Sequence, residues 1–234
     1  MATFNESDKL RDAVFTGVDL RSARFVESDL SNVAMRGVEI SGAAVDAPWL
    51  VHGDGLLING VDVVDYVEAE LNKRFPGRDQ RRAADPPGLR SAWTALESAW
   101  SATLDRVATM PAGTVDVSVA GEWSFAQTLR HLIFATDLWL GKGALQLDDP
   151  MHPVGRLDDD TSTPMYDEIL RVRAERVAMV RDFLQGVTTD ELAQQCRNPH
   201  DPDYPETMLS CLHVILEEEW EHLRFATRDL DAQA

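Results

Sequence analysis

The chain has 234 residues, of which 44% are hydrophobic and 26% charged, as is usual for a globular protein with a sizeable core. Its 40 acidic and 22 basic side chains give a formal charge of −18, which disfavours direct binding to nucleic acid or to an anionic membrane surface. With no long apolar run, no secretory signal and only two cysteines, the sequence predicts a cytoplasmic protein without a disulfide framework.

The first fifty residues repeat with a period of five. A large apolar residue stands at every fifth position, with a small or slim residue two positions before each. The large residues are Leu10, Phe15, Leu20, Phe25, Leu30, Met35, Ile40, Val45 and Leu50. Helices and strands have periods of 3.6 and 2, so neither produces this spacing. A square coil with five residues per side does, and we expect each side to point its central apolar residue inward.

The stretch FTGVDLRSARFVESDLSNV resembles the pentapeptide-repeat family, whose members form a right-handed quadrilateral β-helix. The resemblance covers about residues 4–50, and nine repeats make only about two coils. Because the terminal coils of a solenoid need capping, we expect the following segment or a second subunit, as in a homodimer, to cover one end.

Beyond the repeats, the sequence predicts a short helix over residues 62–75 that ends at Pro76 and Gly77. The polar, Arg-rich and Pro-rich stretch GRDQRRAADPPG, residues 77–88, is typical of a linker between domains. From residue 89 onwards the apolar residues recur with a helical period.

Four helices of about 20 residues are predicted after the linker. The first covers residues 89–110, and the second runs from a capping box at Ser124 and Gln127 to residue 142. The third begins at Thr163 and Pro164 and ends at residue 186, and the fourth covers residues 205–230. Four amphipathic helices of this length favour a four-helix bundle.

The connection between the second and third helices spans about residues 143–163. Connections of this length often border an active site, whereas the acidic run at 158–160 within it is expected to be a solvated loop. The fold class is therefore predicted to be mainly α, a four-helix bundle preceded by the short β-helix. The expected domain limits are 1–58 for the β-helix, 59–86 for the short helix and linker, and 87–234 for the bundle.

A helical wheel places two histidines and two glutamates inside the apolar arcs of the second and fourth helices. His131 faces the core from the second helix, while Glu218, Glu219 and His222 do so from the fourth. A lone buried carboxylate is costly unless it is paired or binds a metal. Glu218 and His222 have the i, i+4 spacing that stacks side chains on one face.

Together with His131, Glu218 and His222 supply a two-His, one-carboxylate set that suits a divalent metal with an open coordination position. Glu219, at i, i+3 from His222, is the alternative carboxylate. A metal-free hydrogen-bonded cluster of the same residues is the competing interpretation. The wheel assigns His213 and Glu217 to the opposite, solvated face.

Other residues that often carry chemistry receive structural interpretations. Cys211 is predicted to be a buried structural thiol, and Cys196 a surface loop residue. His52 and His200 lie in turn-rich segments and are given no role, and His152 is expected to be a plain loop histidine, with a place at the border of the pocket as the alternative. The tryptophans predicted as core or cap residues, rather than as a substrate cage, are Trp93, Trp100, Trp123 and Trp139.

The stretches EWSFAQTLRHLIFATDLWLGK and CLHVILEEEWEHLRFATRDL resemble two helices of the DinB-like metalloenzymes. The resemblance is greatest to the actinobacterial branch that contains mycothiol-dependent maleylpyruvate isomerase and mycothiol S-transferases. It implies a DinB-like bundle in which His131, Glu218 and His222 bind the metal. The 19 Arg against 3 Lys also suit an actinobacterial source, where mycothiol is the main small thiol.

The same resemblance implies the chemistry. A divalent ion, with zinc expected and nickel or iron as alternatives, would activate mycothiol as a metal-bound thiolate against a small electrophile. The expected function is a thiol S-transferase whose partners are a small-molecule thiol and an electrophilic substrate, without nucleic acid or membrane. A mycothiol-dependent isomerase of the same fold and a non-catalytic pentapeptide-repeat scaffold are the alternatives. No general base or substrate-binding residue is assigned.

Overall fold

The computed structural model describes residues 3–5, 10–157, 164–201 and 203–234. The chain divides into two compact units, Met1–Asp46 and Ala47–Ala234, and is mainly helical, as predicted. The predicted domain limits themselves stay a prediction. Three predictions fall on residues outside this description: Asp8 as the slim residue two positions before Leu10, the helix start at Thr163, and the solvated loop at 158–160. Among the described residues, no helix combines the length and the apolar character needed to cross a membrane.

The first unit turns at every fifth residue, which confirms the predicted period. The backbone is left-handed at Asp12, Gly17, Ser22, Glu27, Asn32, Gly37 and Gly42. Gly, Asn and Asp adopt this conformation most readily, so five of the seven corners carry residues suited to it. At every second corner, a backbone N–H such as that of Ala13 donates to a carbonyl three residues earlier, here Leu10. The apolar ladder residues from Leu10 to Val45, which were expected to point inward, are all more than 40% exposed, because about two coils offer them few residues to pack against.

The second unit contains four long helices that pack as a bundle. α3 packs against α4 and α6, and α2 also packs against α4 and α6. The α-helices are α1 Val64–Arg74, α2 Pro86–Ala108, α3 Phe125–Thr136, α4 Tyr166–Gly186, α5 Thr189–Leu192 and α6 Met208–Asp231. α3 continues as a π-helix over Asp137–Ala144, and 3-10 helices cover Leu50–His52, Arg78–Arg82, Thr114–Asp116 and Pro153–Gly155.

Two small antiparallel hairpins complete the unit. β1 (Leu57–Ile58) pairs with β2 (Val61–Asp62), and β3 (Gln195–Arg197) pairs with β4 (Pro205–Thr207). The second hairpin corrects the predicted start of the fourth helix. Because Pro205–Thr207 pairs with β3, α6 begins three residues later, capped by the Thr207 side chain.

Side-chain caps also determine where α3 and α2 begin. The Ser124–Gln127 capping box at α3 is confirmed, since each side chain bonds the other's backbone N–H. Asp85 accepts a hydrogen bond from the Gly88 backbone and Pro86 occupies the first turn, so α2 begins three residues before the predicted Leu89.

The segment predicted as a linker is part of the packed unit. Arg78–Arg82 forms a 3-10 helix against α2 and α6, and Arg78 is only 3% exposed. Its guanidinium lies 2.9 Å from Glu68 and 3.1 Å from Glu221. The polar composition therefore reflects buried ion pairs rather than a solvated connection.

The core of the second unit lies between α2, α3, α4 and α6. Its largest fully buried side chains include Trp220, Leu89, Leu96, Leu129, Ile169 and Leu212. Cys211 is fully buried in the first turns of α6, as predicted. The prediction for Cys196 is wrong, because this residue lies on β3, is half-buried, and places its Sγ 3.4 Å from that of Cys211.

Candidate metal centre

Three residues from two helices converge at one point of the bundle. His131 on α3 places Nε2 3.0 Å from Oε2 of Glu218 on α6. His222, one turn further along α6, places Nε2 3.3 Å from the same oxygen. The three donor atoms all lie within 4.8 Å of one another. The structure therefore brings together the three residues that the sequence singled out.

The local sequence explains this convergence. The i, i+4 spacing of Glu218 and His222 stacks them on one face of α6, and α3 packs against that face. The two imidazole rings meet edge to face, with their centroids 4.5 Å apart.

The electrostatics favour an anionic carboxylate between two imidazoles. Burial opposes ionisation of Glu218, but the hydrogen bond from His131 and the neighbouring His222 outweigh it and lower its pKa from 4.5 to about 2. Burial lowers the pKa of His222 below its usual value, which favours the neutral ring. A carboxylate and neutral imidazoles are the protonation states that bind a divalent cation.

One donor atom of this cluster has no hydrogen bond. His222 Nε2 is buried, and its 3.3 Å approach to Glu218 lacks hydrogen-bond geometry, so no described residue satisfies it. Buried ring nitrogens normally have a partner. A nitrogen lone pair directed at a carboxylate and a second imidazole fits a cation at this point, and nothing in the donor set opposes one.

Glu219, the alternative carboxylate, points away from this cluster. It is 1% exposed, and both of its oxygens lie 2.5 Å from Nη2 of Arg173 on α4. The 100° rotation between consecutive helical residues carries it to a different neighbour. The geometry therefore groups Glu218, and not Glu219, with the histidines.

The prediction that His213 and Glu217 lie on a solvated face is wrong. Glu217 is buried and lies 2.5 Å from Arg82 and 3.1 Å from His52. His213 Nε2 donates to the Ala83 carbonyl at 2.8 Å. The cause is that the segment from Leu50 to Ala83, which the wheel could not include, covers this side of α6.

Glu221 lies on the same side of α6 as His213 and Glu217. It is buried and accepts hydrogen bonds from Arg78 and Arg224 at 3.1 and 2.9 Å. Glu217 and Glu221 are thus both held by arginines. His52, which the sequence left without a role, takes part in this network.

A cavity of about 210 Å³ opens beside the three converging residues. Besides those residues, Glu217 and Glu221, it is lined by Pro48, Trp49, Trp123 and Phe225. The Trp123 ring lies 4.8 Å from His131 and 5.9 Å from His222, centroid to centroid.

Of the tryptophans predicted as core or cap residues, Trp93 and Trp100 are buried as expected. Trp123 is instead 40% exposed and lines the cavity. The only sequence signal for it is its position directly before the Ser124 cap of the helix that carries His131.

The remaining expected sites contribute nothing to this cavity. Within residues 143–157, Pro153–Gly155 packs on α3, and Arg130 Nε donates to the Val154 carbonyl, but no residue of this stretch lines the cavity.

A second, apolar cavity of about 280 Å³ lies at the ends of α2 and α4 and contains no predicted ligand. Burial raises the pKa of Tyr166, at its edge, to about 12.

Comparison with known families agrees with both resemblances. A model described as the DinB superfamily matches residues 95–226, more than half of the chain, and this range includes His131, Glu218 and His222. A model of pentapeptide repeats matches residues 9–44 with eight copies. The comparisons with curated proteins and with solved structures give no match.

Proposed function

Because the chain belongs to the DinB superfamily, which includes metal-dependent enzymes, we propose that it is a metal-dependent thiol transferase. In this proposal His131, Glu218 and His222 hold one divalent ion. The observation that carries it is the convergence of three donor atoms, one of which is a buried imidazole nitrogen that no described residue hydrogen-bonds.

Zinc is the metal we propose. Two imidazoles and one carboxylate form a three-ligand set that zinc accepts in catalytic sites, with a further position open to a ligand. Nickel and iron accept the same donors and are the alternatives.

When bound, the metal would supply a Lewis acid that lowers the pKa of a small thiol and favours its thiolate. The thiol sulfur then forms a bond to an electrophilic carbon, the leaving group departs with the bonding electron pair, and the thiol proton passes to solvent. The protein residues orient the reactants, and Trp123 and Phe225 restrict water at the cavity wall. Mycothiol in an actinobacterial cytoplasm is the proposed thiol, supported by the sequence resemblance and the Arg-rich composition.

Metal content per chain is the first test. Untagged protein purified without chelator is expected to carry about one equivalent of metal by mass spectrometry, and His222→Ala little. Glu217→Gln is the matched control, because it removes a charge from the next residue of α6 without touching the cluster and should keep its metal. Equal metal content in all three proteins, or none in the wild type, would contradict the proposal.

The activity is tested on the same preparations. The wild type is expected to convert mycothiol and an alkyl halide into a thioether, detected by mass, at a rate that Glu218→Gln reduces by at least a hundredfold. A wild-type protein that binds metal but leaves every thiol unchanged would restrict the proposal to metal binding.

A non-catalytic scaffold is the second candidate, because eight pentapeptide repeats match a family model and their apolar ladder is exposed. This function, including a homodimer formed through the repeats, predicts that deletion of residues 1–46 changes the oligomeric state or a binding partner. It also predicts that His222→Ala has no effect. A deletion variant that remains a monomer like the wild type would contradict the homodimer.

A further inference from the structure

We propose that the cavity beside the metal ligands is the subsite for the electrophile, and that it selects an uncharged, flat aromatic compound of about one ring. This inference rests on the proposed function for the reaction, but its binding step can be measured without thiol or turnover. Trp49 and Trp123 are the residues that determine the selectivity.

The exposure of the tryptophans points to this cavity. Of the six tryptophans, all within the described residues, only Trp49 and Trp123 are more than a third exposed, at 48% and 40%. Both line the same cavity. Exposed indole rings that meet at one concave site are typical of aromatic ligand recognition.

The aromatic wall lies directly beside the converging ligands. The Trp123 ring is 4.8 Å from that of His131, and the Phe225 ring is 5.9 Å from that of His222. A flat ring that contacts Trp123 or Phe225 would therefore place its substituent next to the donor atoms. The Arg224 guanidinium, 4.4 Å from the Phe225 centroid, helps to fix this part of the wall.

The charges of the lining favour an uncharged ligand. Glu217 is paired with Arg82, and Glu221 with Arg78 and Arg224, so neither carboxylate is available to a cationic ligand. An anionic ligand finds no arginine or lysine among the described residues that line the cavity. Neither class of charged ligand finds an unpaired opposite charge among the described lining residues other than the cluster itself.

The volume limits the size. A cavity of roughly 150 Å³ accommodates benzene, so about 210 Å³ leaves room for one ring and a small substituent. A saturated ring of the same size also fits, but it cannot stack its face on indole. The measurable consequence is therefore a higher affinity for an aromatic ring than for a saturated ring of the same size.

The test compares two unreactive probes, nitrobenzene and nitrocyclohexane, bound to the full-length protein as purified, without thiol. Ligand-detected NMR titrations are expected to show nitrobenzene binding about tenfold more tightly. Trp123→Leu should abolish this preference, Trp123→Phe should keep most of it, and Trp49→Leu should reduce it. Trp139→Leu, which removes a tryptophan outside the cavity, is the matched control and should keep it. Circular dichroism verifies that each variant is folded.

Equal affinities for the two probes, a preference that both Trp123→Leu and Trp49→Leu retain, or a preference that Trp139→Leu also loses would overturn the inference. Metal content measured on the same samples separates the two proposals. Protein that contains metal but shows no aromatic preference overturns the subsite alone. Protein that lacks metal but shows the preference overturns the proposed function and supports the aromatic subsite.

Steady-state kinetics give the corresponding result for the reaction. With 4-nitrobenzyl chloride, the thiol sulfur bonds to the benzylic carbon, chloride leaves with the electron pair and the thiol proton goes to solvent. Trp123→Leu is expected to raise the KM for this substrate about tenfold with kcat little changed. A drop in kcat at constant KM would contradict a binding role for this ring.

Discussion

The two sides of α6 carry glutamates in opposite surroundings. On the side covered by the 3-10 helix Arg78–Arg82, Glu217 and Glu221 are each held by arginines. On the side facing α3, the partners of Glu218 among the described residues are His131 and His222. The sequence of α6 alone does not show which partner holds each carboxylate, because the partners come from the segments that pack against each side.

This difference indicates which carboxylate is available for chemistry. An arginine is permanently charged, so its partner carboxylate is neutralised at every physiological pH. Imidazoles can be neutral, so a carboxylate between two of them leaves three donor atoms for a cation. Glu219, held by Arg173, follows the first pattern although it is next to Glu218. Four predictions test the contrast between the arginine-paired side and the histidine-paired side.

The largest expected effect is on the arginine-paired side. Arg78→Met removes one cation from the half-buried Glu68 and the buried Glu221 and should lower the free energy of unfolding by about 3 kcal/mol. Urea denaturation measures this loss, and metal content should not change. Arg171→Met removes an exposed pair with Glu175 and should cost less than about 0.5 kcal/mol. Equal losses in the two variants would show that the buried network is not a structural element.

The histidine-paired side should couple stability to metal. Free zinc at a hundredfold excess over its Kd is expected to raise the free energy of unfolding by about 2.7 kcal/mol. Glu218→Gln should remove this gain, whereas Glu217→Gln should keep it. Thermal melting with and without zinc measures the difference, and a gain that survives in Glu218→Gln would place the ion elsewhere.

Sequence periodicity predicted more of one side of α6 than of the other. Helical spacing placed His131, Glu218, Glu219 and His222 inside apolar arcs, because charged groups in an apolar arc are visible on a wheel, but it left Glu219 as an alternative to Glu218. The same wheel assigned Glu217 to solvent, since it contains no information on segments distant in the chain. The 3-10 helix Arg78–Arg82, which covers this side, resembled a linker because the composition of a segment does not show whether its arginines are buried or solvated.

The lack of information on distant segments also explains where the other predictions succeeded and where they failed. The repeats were read correctly because each corner depends on residues within a few positions, as at Asp12 and Gly17. β3 and β4, with three residues each, are too short for a period of two to be recognised. The position of Trp123 at the cavity depends on packing between α3 and α6, which no local pattern reports.

A smaller effect concerns the acid stability of the arginine-paired side. Burial opposes ionisation of Glu68, but hydrogen bonds from Arg78 and Arg81 outweigh it and lower its pKa below 4.5. A lowered folded-state pKa gives stability that is present above 4.5 and is lost as the pH falls below it. Urea denaturation at several pH values below 5 should show a shallower decline for Glu68→Gln than for the wild type. Asp65→Asn, which removes an exposed carboxylate of the same helix, is the control and should follow the wild type.

The smallest expected effect lies where α6 meets the end of the covering segment. Burial lowers the pKa of His213 below 6.5, so the folded state favours the neutral ring that donates to the Ala83 carbonyl. The stability from this group is present above 6.5 and is lost as the pH falls through the lowered folded-state pKa. With metal removed by chelator, His213→Gln should lose less stability than the wild type between pH 7 and pH 5. His200→Gln, an exposed histidine, is the control. If His213→Gln and the wild type decline in parallel, this part of α6 is open to water, and the contrast between its two sides is limited to the glutamates.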